Sequence, residues 1–147
     1  MEQYIIKLTE LFEIRDLYLK KLKQTTYEAN TERFKSEFGP AIDGILRSAS
    51  ETEDAKGAYE SVAVDFSRRV FDKYEKRGKI APTVMMDINF CMIYYVFPYL
   101  LKSGIAGAED FAKILKDKWN ETLHCNISYT TYEELYAGFK KKLFGFF

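Results

Sequence analysis

With 147 residues, of which 22 are basic and 22 acidic, the chain is the size of one domain, long enough to bury a substantial core without disulfides or metals. Balanced charge with no long block of one sign excludes the long-range field that draws a protein onto nucleic acid. Two cysteines, Cys91 and Cys125, are too few for a disulfide-built secreted scaffold.

The first residues, M-E-Q-Y-I-I-K-L-T-E, have early acids, no basic leader and no small-residue cleavage site, so a cytoplasmic protein is expected. Residues 4 to 22 set Tyr4, Leu8, Leu11, Phe12, Leu19 and Leu22 on one helical face. Arg15 falls in the middle of that stripe, either snorkelling to water or paired with an acid; Asp87 is the expected partner. Ile6 and Leu17 project together from the other side.

From Tyr27, the positions Phe34, Phe38, Ala41, Ile42, Ile45 and Leu46 stay in phase across Gly39-Pro40. That pair predicts two short helices or one bent helix. The polar stretch 50–57 reads as a loop or the frayed start of the next helix. Tyr59, Val62, Ala63, Phe66, Val70 and Tyr74 then share a face, with Val64 and Phe71 projecting away from it. Lys76-Arg77-Gly78 predicts a helix end near Arg77, with Gly78 as its cap.

The segment Thr83–Leu101 is apolar on every side of a helix, opens at Pro82 or Thr83, and has Asp87, Asn89 and Pro98 as its exceptions. A helix of this kind is wrapped by other helices or lies in a bilayer. The carboxylate, the tyrosines and an uninterrupted run shorter than the ~20 residues of a spanning helix favour the protein core over the membrane. Pro98 predicts a kink. After Lys102-Ser103-Gly104 an amphipathic helix carries Ala108, Phe111, Ala112, Leu115 and Trp119 inward. A capping signature at Thr130 or Thr131, with Glu133 or Glu134 three residues on, predicts a last helix. Its C-terminal Lys140–Lys142 and the Leu143–Phe147 tail are expected to fold onto the bundle.

The residues support few chemistries. The single histidine, His124, points away from its helix's apolar stripe. Neighbours such as His124 and Cys125 do not face each other on a helix, so no nucleophile and base are paired there. One histidine and no Cys-x-x-Cys spacing leave a metal site without support, and Gly104–Gly107 lacks the phosphate-cradling fingerprint. No cofactor is expected, and no catalytic residue is assigned. The basic end of the third helix, from Arg68 to Lys79, is interleaved with Asp65, Asp72 and Glu75 and reads as a solvated face.

One stripe remains as a candidate site. Asp87, Cys91, Tyr94 and Pro98 fall at i, i+4, i+7 and i+11 on the core helix, where an acid, a thiol and a phenol would line a small-molecule pocket with Arg15.

The sequence therefore predicts an all-α, single-domain compact bundle, residues 1–147, of six or seven helices around a buried helix at about 83–101. The first function expected is a non-enzymatic interaction or regulatory module that forms a homodimer through Ile6, Leu17, Val64 and Phe71. The alternative is a small-molecule binder using the Asp87, Cys91 and Tyr94 stripe; nucleic acid and membrane are not expected partners.

Overall fold

The computed structural model describes residues 1–13 and 24–128, with side chains from residue 28 in the second stretch. Arg15, Leu17, the helix expected after Thr130 and the Leu143–Phe147 tail lie outside the described residues. Those residues form an all-α fold of five helices and no strand, against the expected six or seven.

Helix α1, Glu2–Thr9, runs into a 3-10 turn at Glu10–Phe12. Ile5, Leu8, Leu11 and Phe12 are all buried, as their three- and four-residue spacing demands. Helix α2, Gln24–Ser50, passes through Gly39-Pro40 without a break, so the single-helix alternative is the one adopted. The reason is tertiary: a Cβ at Gly39 would sit 3.0 Å from the Tyr99 hydroxyl, and one at Gly44 would lie 2.6 Å from the Tyr4 ring. Both glycines let other helices approach the α2 backbone.

Helix α3, Ala55–Tyr74, starts at Asp54, whose carboxylate accepts the Gly57 N–H at 3.0 Å. This is a side-chain N-cap. The helix ends at Tyr74, short of the end expected near Arg77, because Glu75 is already extended. Gly78 is not its cap. Arg77 and Gly78, with φ of 57° and 78°, are the central pair of a tight turn that bridges Lys76 and Lys79. Positive φ at both centres is the mark of a type I′ turn, and Glu75 Oε2 holds this one by accepting the Gly78 N–H at 2.8 Å.

Helix α4 covers Pro82–Lys102 in three parts: α from Pro82 to Cys91, π from Met92 to Val96, and α again from Phe97 to Lys102. The disturbance expected at Pro98 thus takes the form of a π segment just before it, in which the Phe97 N–H reaches back to the Met92 carbonyl. Burial also corrects the expectation. Cys91–Pro98 is fully enclosed, whereas Thr83 is exposed and Met86 is 68 % exposed, so the enclosed core helix begins near Ile88. By length and composition α4 could cross a bilayer; in this fold its centre is covered by the protein's own helices.

Helix α5, Ala108–Leu123, starts after Gly107, whose φ is 85° and where a Cβ would meet the Tyr59 hydroxyl at 2.0 Å. Ala108, Phe111, Ala112, Leu115 and Trp119 are all buried. The broadest packing is between α3 and α5, while α1 crosses both α2 and α3. At the centre Phe12, Phe66 and Trp119 form a triangle of rings with centroids 5.7–6.0 Å apart, each pair adding about 0.5–1.5 kcal/mol to its burial. Outside this core the Tyr74 hydroxyl donates to the Phe12 carbonyl at 3.0 Å, Arg69 bridges Asp65 and Glu2, and Lys73 pairs with Glu13. Hydrogen bonding to Asp65 first, and then its charge, holds the Arg69 guanidinium above its ordinary pKa. These contacts fasten α1 to α3.

Candidate functional site

The four members of the predicted stripe separate. Asp87 is half-buried, while Cys91, Tyr94 and Pro98 are buried. A π turn holds one residue more than an α turn, so the segment between Cys91 and Pro98 breaks the phase on which the stripe was drawn. Tyr94 and Pro98 line a cleft, and Asp87 and Cys91 are not part of its wall.

This cleft, about 530 Å³, lies between α2 and the second half of α4. From α2 it takes Thr31, Phe34, Lys35 and Asp43; from α4, Tyr94, Tyr95, Pro98, Tyr99 and Lys102. The α4 positions follow the i, i+4, i+8 rhythm of one helix face. Behind the wall the rings hold one another in place. Phe34 stacks on Phe38 at 5.6 Å, approaches Tyr95 at 5.8 Å and meets Tyr99 edge-on at 5.9 Å, while Phe90 stacks on Tyr94 at 4.1 Å. At the mouth Ser103 Oγ donates to the Leu100 carbonyl and accepts the Ile105 N–H, which fixes the turn that closes one end.

A hydrogen bond joins the two walls: the Tyr99 hydroxyl donates to Asp43 Oδ1 at 2.8 Å. Burial first, then this bond and the Asp43 charge, push the Tyr99 phenol up to about 12. Tyr99 therefore stays a neutral donor at physiological pH, and Asp43 keeps an acceptor at the cleft wall. Lys35 pairs with Glu32 at 3.5 Å, both side chains being exposed, an arrangement that binds neither tightly.

A second polar cluster sits where α4 meets α5. Asn89 Oδ1 accepts the Trp119 indole N–H at 2.8 Å. Asn120 clamps the following loop, donating to the Ile127 carbonyl at 2.8 Å and accepting the Ile127 N–H at 2.9 Å. Cys125 lies against the same amides, 3.4 Å from Asn120 Oδ1, and burial raises its thiol pKa despite the hydrogen bonds that lower it. A thiol held in that form is a poor nucleophile. His124 is exposed at the left-handed end of α5, its ring 6.2 Å from and edge-on to Phe71.

Of the residues assigned to an interface, Ile6 is 44 % exposed, Val64 is half-buried, and Phe71 is half-buried and packs against the core. Among the described residues no group of three or more metal-ligating side chains occurs. Sequence reasoning missed Thr31, Lys35, Asp43, Tyr99 and Lys102. The one signal pointing to them was Gly39, since a glycine inside a helical pattern often marks close packing. Compared with known protein families, characterised proteins and solved structures, the chain matches none.

Proposed function

We propose that the protein is a non-catalytic binding protein that holds a small, largely apolar molecule in the cleft between α2 and α4. The observation that carries this reading is the cleft itself. At about 530 Å³ it falls in the range of small-molecule sites, and such sites combine apolar and aromatic walls with a few fixed polar groups. Here Phe34, Tyr95 and Pro98 supply the wall and the Asp43–Tyr99 pair the fixed polar group. The binding function is thus the alternative foreseen from the sequence, moved from the Asp87 and Cys91 end of α4 to the Tyr99 end, with Tyr94 common to both.

Titration with phenylnaphthylamine, a neutral apolar fluorophore, tests it. Saturable binding at one site per chain is expected, together with its loss in Thr31→Trp, which fills the cleft. No saturable binding, or binding indifferent to Thr31→Trp, refutes the assignment.

Self-association is the second reading. Its support is Ile6, exposed on the outer side of α1; the structure lends less to Phe71, which packs inward. Light scattering at tens of micromolar separates the two readings, because a ligand binder of this kind does not require a dimer.

A further inference from the structure

We propose that the turn at Lys76–Lys79 and the exposed first turns of α4 form one surface that docks on an anionic lipid bilayer. This goes beyond the cleft reading and does not depend on it. Read along the sequence, the basic residues near the end of α3 look neutralised by Asp65, Asp72 and Glu75. The structure separates them. Helix α3 stops at Tyr74 and Glu75 is extended, so Lys76, Arg77 and Lys79 stand on the turn rather than on the helix face, and all three are exposed. From Lys76 to Met86 the chain has these three cations and no acid. The carboxylate just before them, Glu75, accepts the Gly78 N–H at 2.8 Å and fixes the turn; the first one after them, Asp87, is half-buried. Arg77 has a φ of 57°, at a turn position that asparagine, aspartate or glycine normally takes. A long cation there serves contact rather than the turn.

The apolar part of the surface follows at once. Ala81, Pro82 and Thr83 are exposed, and Met86 is 68 % exposed. Pro82, Met86 and the half-buried Phe90 recur at i, i+4 and i+8 on one face of the helix. Three residues of chain span at most about 11 Å and four residues of helix about 6 Å, so the backbones at Lys79 and Met86 lie within about 17 Å of each other. Cations beside exposed apolar side chains are the two signals that attachment to an anionic membrane combines: lysine and arginine meet the headgroups, and apolar side chains enter the acyl boundary. Nucleic acid fits less well, because its bases stack on aromatic faces. The fully exposed apolar residues here are aliphatic, and the Phe90 ring is stacked on Tyr94 at 4.1 Å.

Co-sedimentation with vesicles of phosphatidylcholine and phosphatidylserine in equal parts, against phosphatidylcholine alone, tests the proposal. Wild type is expected to bind the anionic vesicles more tightly. Lys76→Gln and Lys79→Gln should each weaken that binding about fivefold, the usual effect of one cation near an anionic surface. Arg77→Gly should weaken it by the same factor without lowering the melting temperature, since glycine adopts positive φ freely. Met86→Gln, which leaves the charge unchanged, should also weaken it, by about fivefold. The substituted side chains are exposed, so an unchanged melting temperature shows that each variant is folded. Equal binding to the two vesicle types overturns the proposal, as does anionic-vesicle binding that the turn variants leave intact. Sensitivity to the turn variants with none to Met86→Gln overturns the lipid assignment. Binding of polyuridylate or polyglutamate without binding of vesicles does so too.

Discussion

Replacing Tyr99 with Phe removes a hydrogen bond that joins the two walls of the cleft and leaves the rings in place. The bond is 2.8 Å long and ends on a carboxylate, and hydrogen bonds to charged groups contribute about 1.5–3 kcal/mol. Tyr99 and Asp43 are both half-buried, so competing water reduces the expected loss to about 1 kcal/mol. In a chain of this size that lowers the melting temperature by about 3 °C. The pH dependence gives the sharper test. The folded phenol keeps its proton up to about 12, against an ordinary value of 10.0, so between these values the unfolded chain binds fewer protons than the folded one. Stability from this group is complete below pH 10.0 and is lost as the pH rises toward 12. Urea unfolding of wild type and Tyr99→Phe across this range should show a gap of about 1 kcal/mol at moderate pH that closes as the pH climbs. The difference between the two proteins cancels the other tyrosines and the lysines. A gap that stays constant across the range, or never appears, refutes the assigned role of the Asp43–Tyr99 bond.

Gly44→Ala should destabilise by about 1–3 kcal/mol through overpacking, despite alanine's better helix propensity, because its Cβ would lie 2.6 Å from the Tyr4 ring. Adding Tyr4→Ala should remove that part of the penalty, and a thermal-melt cycle checks it. Asn89→Ala strands the buried indole N–H of the only tryptophan, at a cost of about 1–3 kcal/mol. Urea unfolding followed by Trp119 emission measures this loss directly.

The parts of the fold legible in the sequence are those written in local periodicity. Phe111, Leu115 and Trp119 are spaced to share one face of a helix, and all three are buried. Three features were illegible or misread, two of them because the deciding partner is distant in the chain. Gly39-Pro40 looks like a break until Tyr99, from another helix, is seen against Gly39. Gly78 looks like a cap because basic residues precede it, yet the Glu75 carboxylate and the Lys76–Lys79 bridge make it part of a turn. The site itself depends on Asp43 and Tyr99, 56 residues apart, and no periodicity within either helix encodes that pairing. Tyr94, which lines the cleft, was singled out in the sequence as a phenol on an apolar helix; Asp87 and Cys91 were grouped with it by assuming an α-helical phase through residues that form a π turn.

The two places where local rules are broken lie next to each other in space, and this bears on why the cleft exists. Along α2, Gly39 and Pro40 each weaken a helix interior, by about 1 and 3 kcal/mol relative to alanine. Along α4, the π turn and Pro98 interrupt the regular ladder, and π turns are rare outside sites with a purpose. Tyr99 connects them: it follows Pro98 in the chain, its hydroxyl occupies the space that a Cβ at position 39 would need, and it donates to Asp43 one turn further along α2. A chain free to optimise each helix alone would have no reason to keep either irregularity. Keeping both, with Tyr99 seated between them, follows if the geometry being stabilised is the cleft rather than either helix.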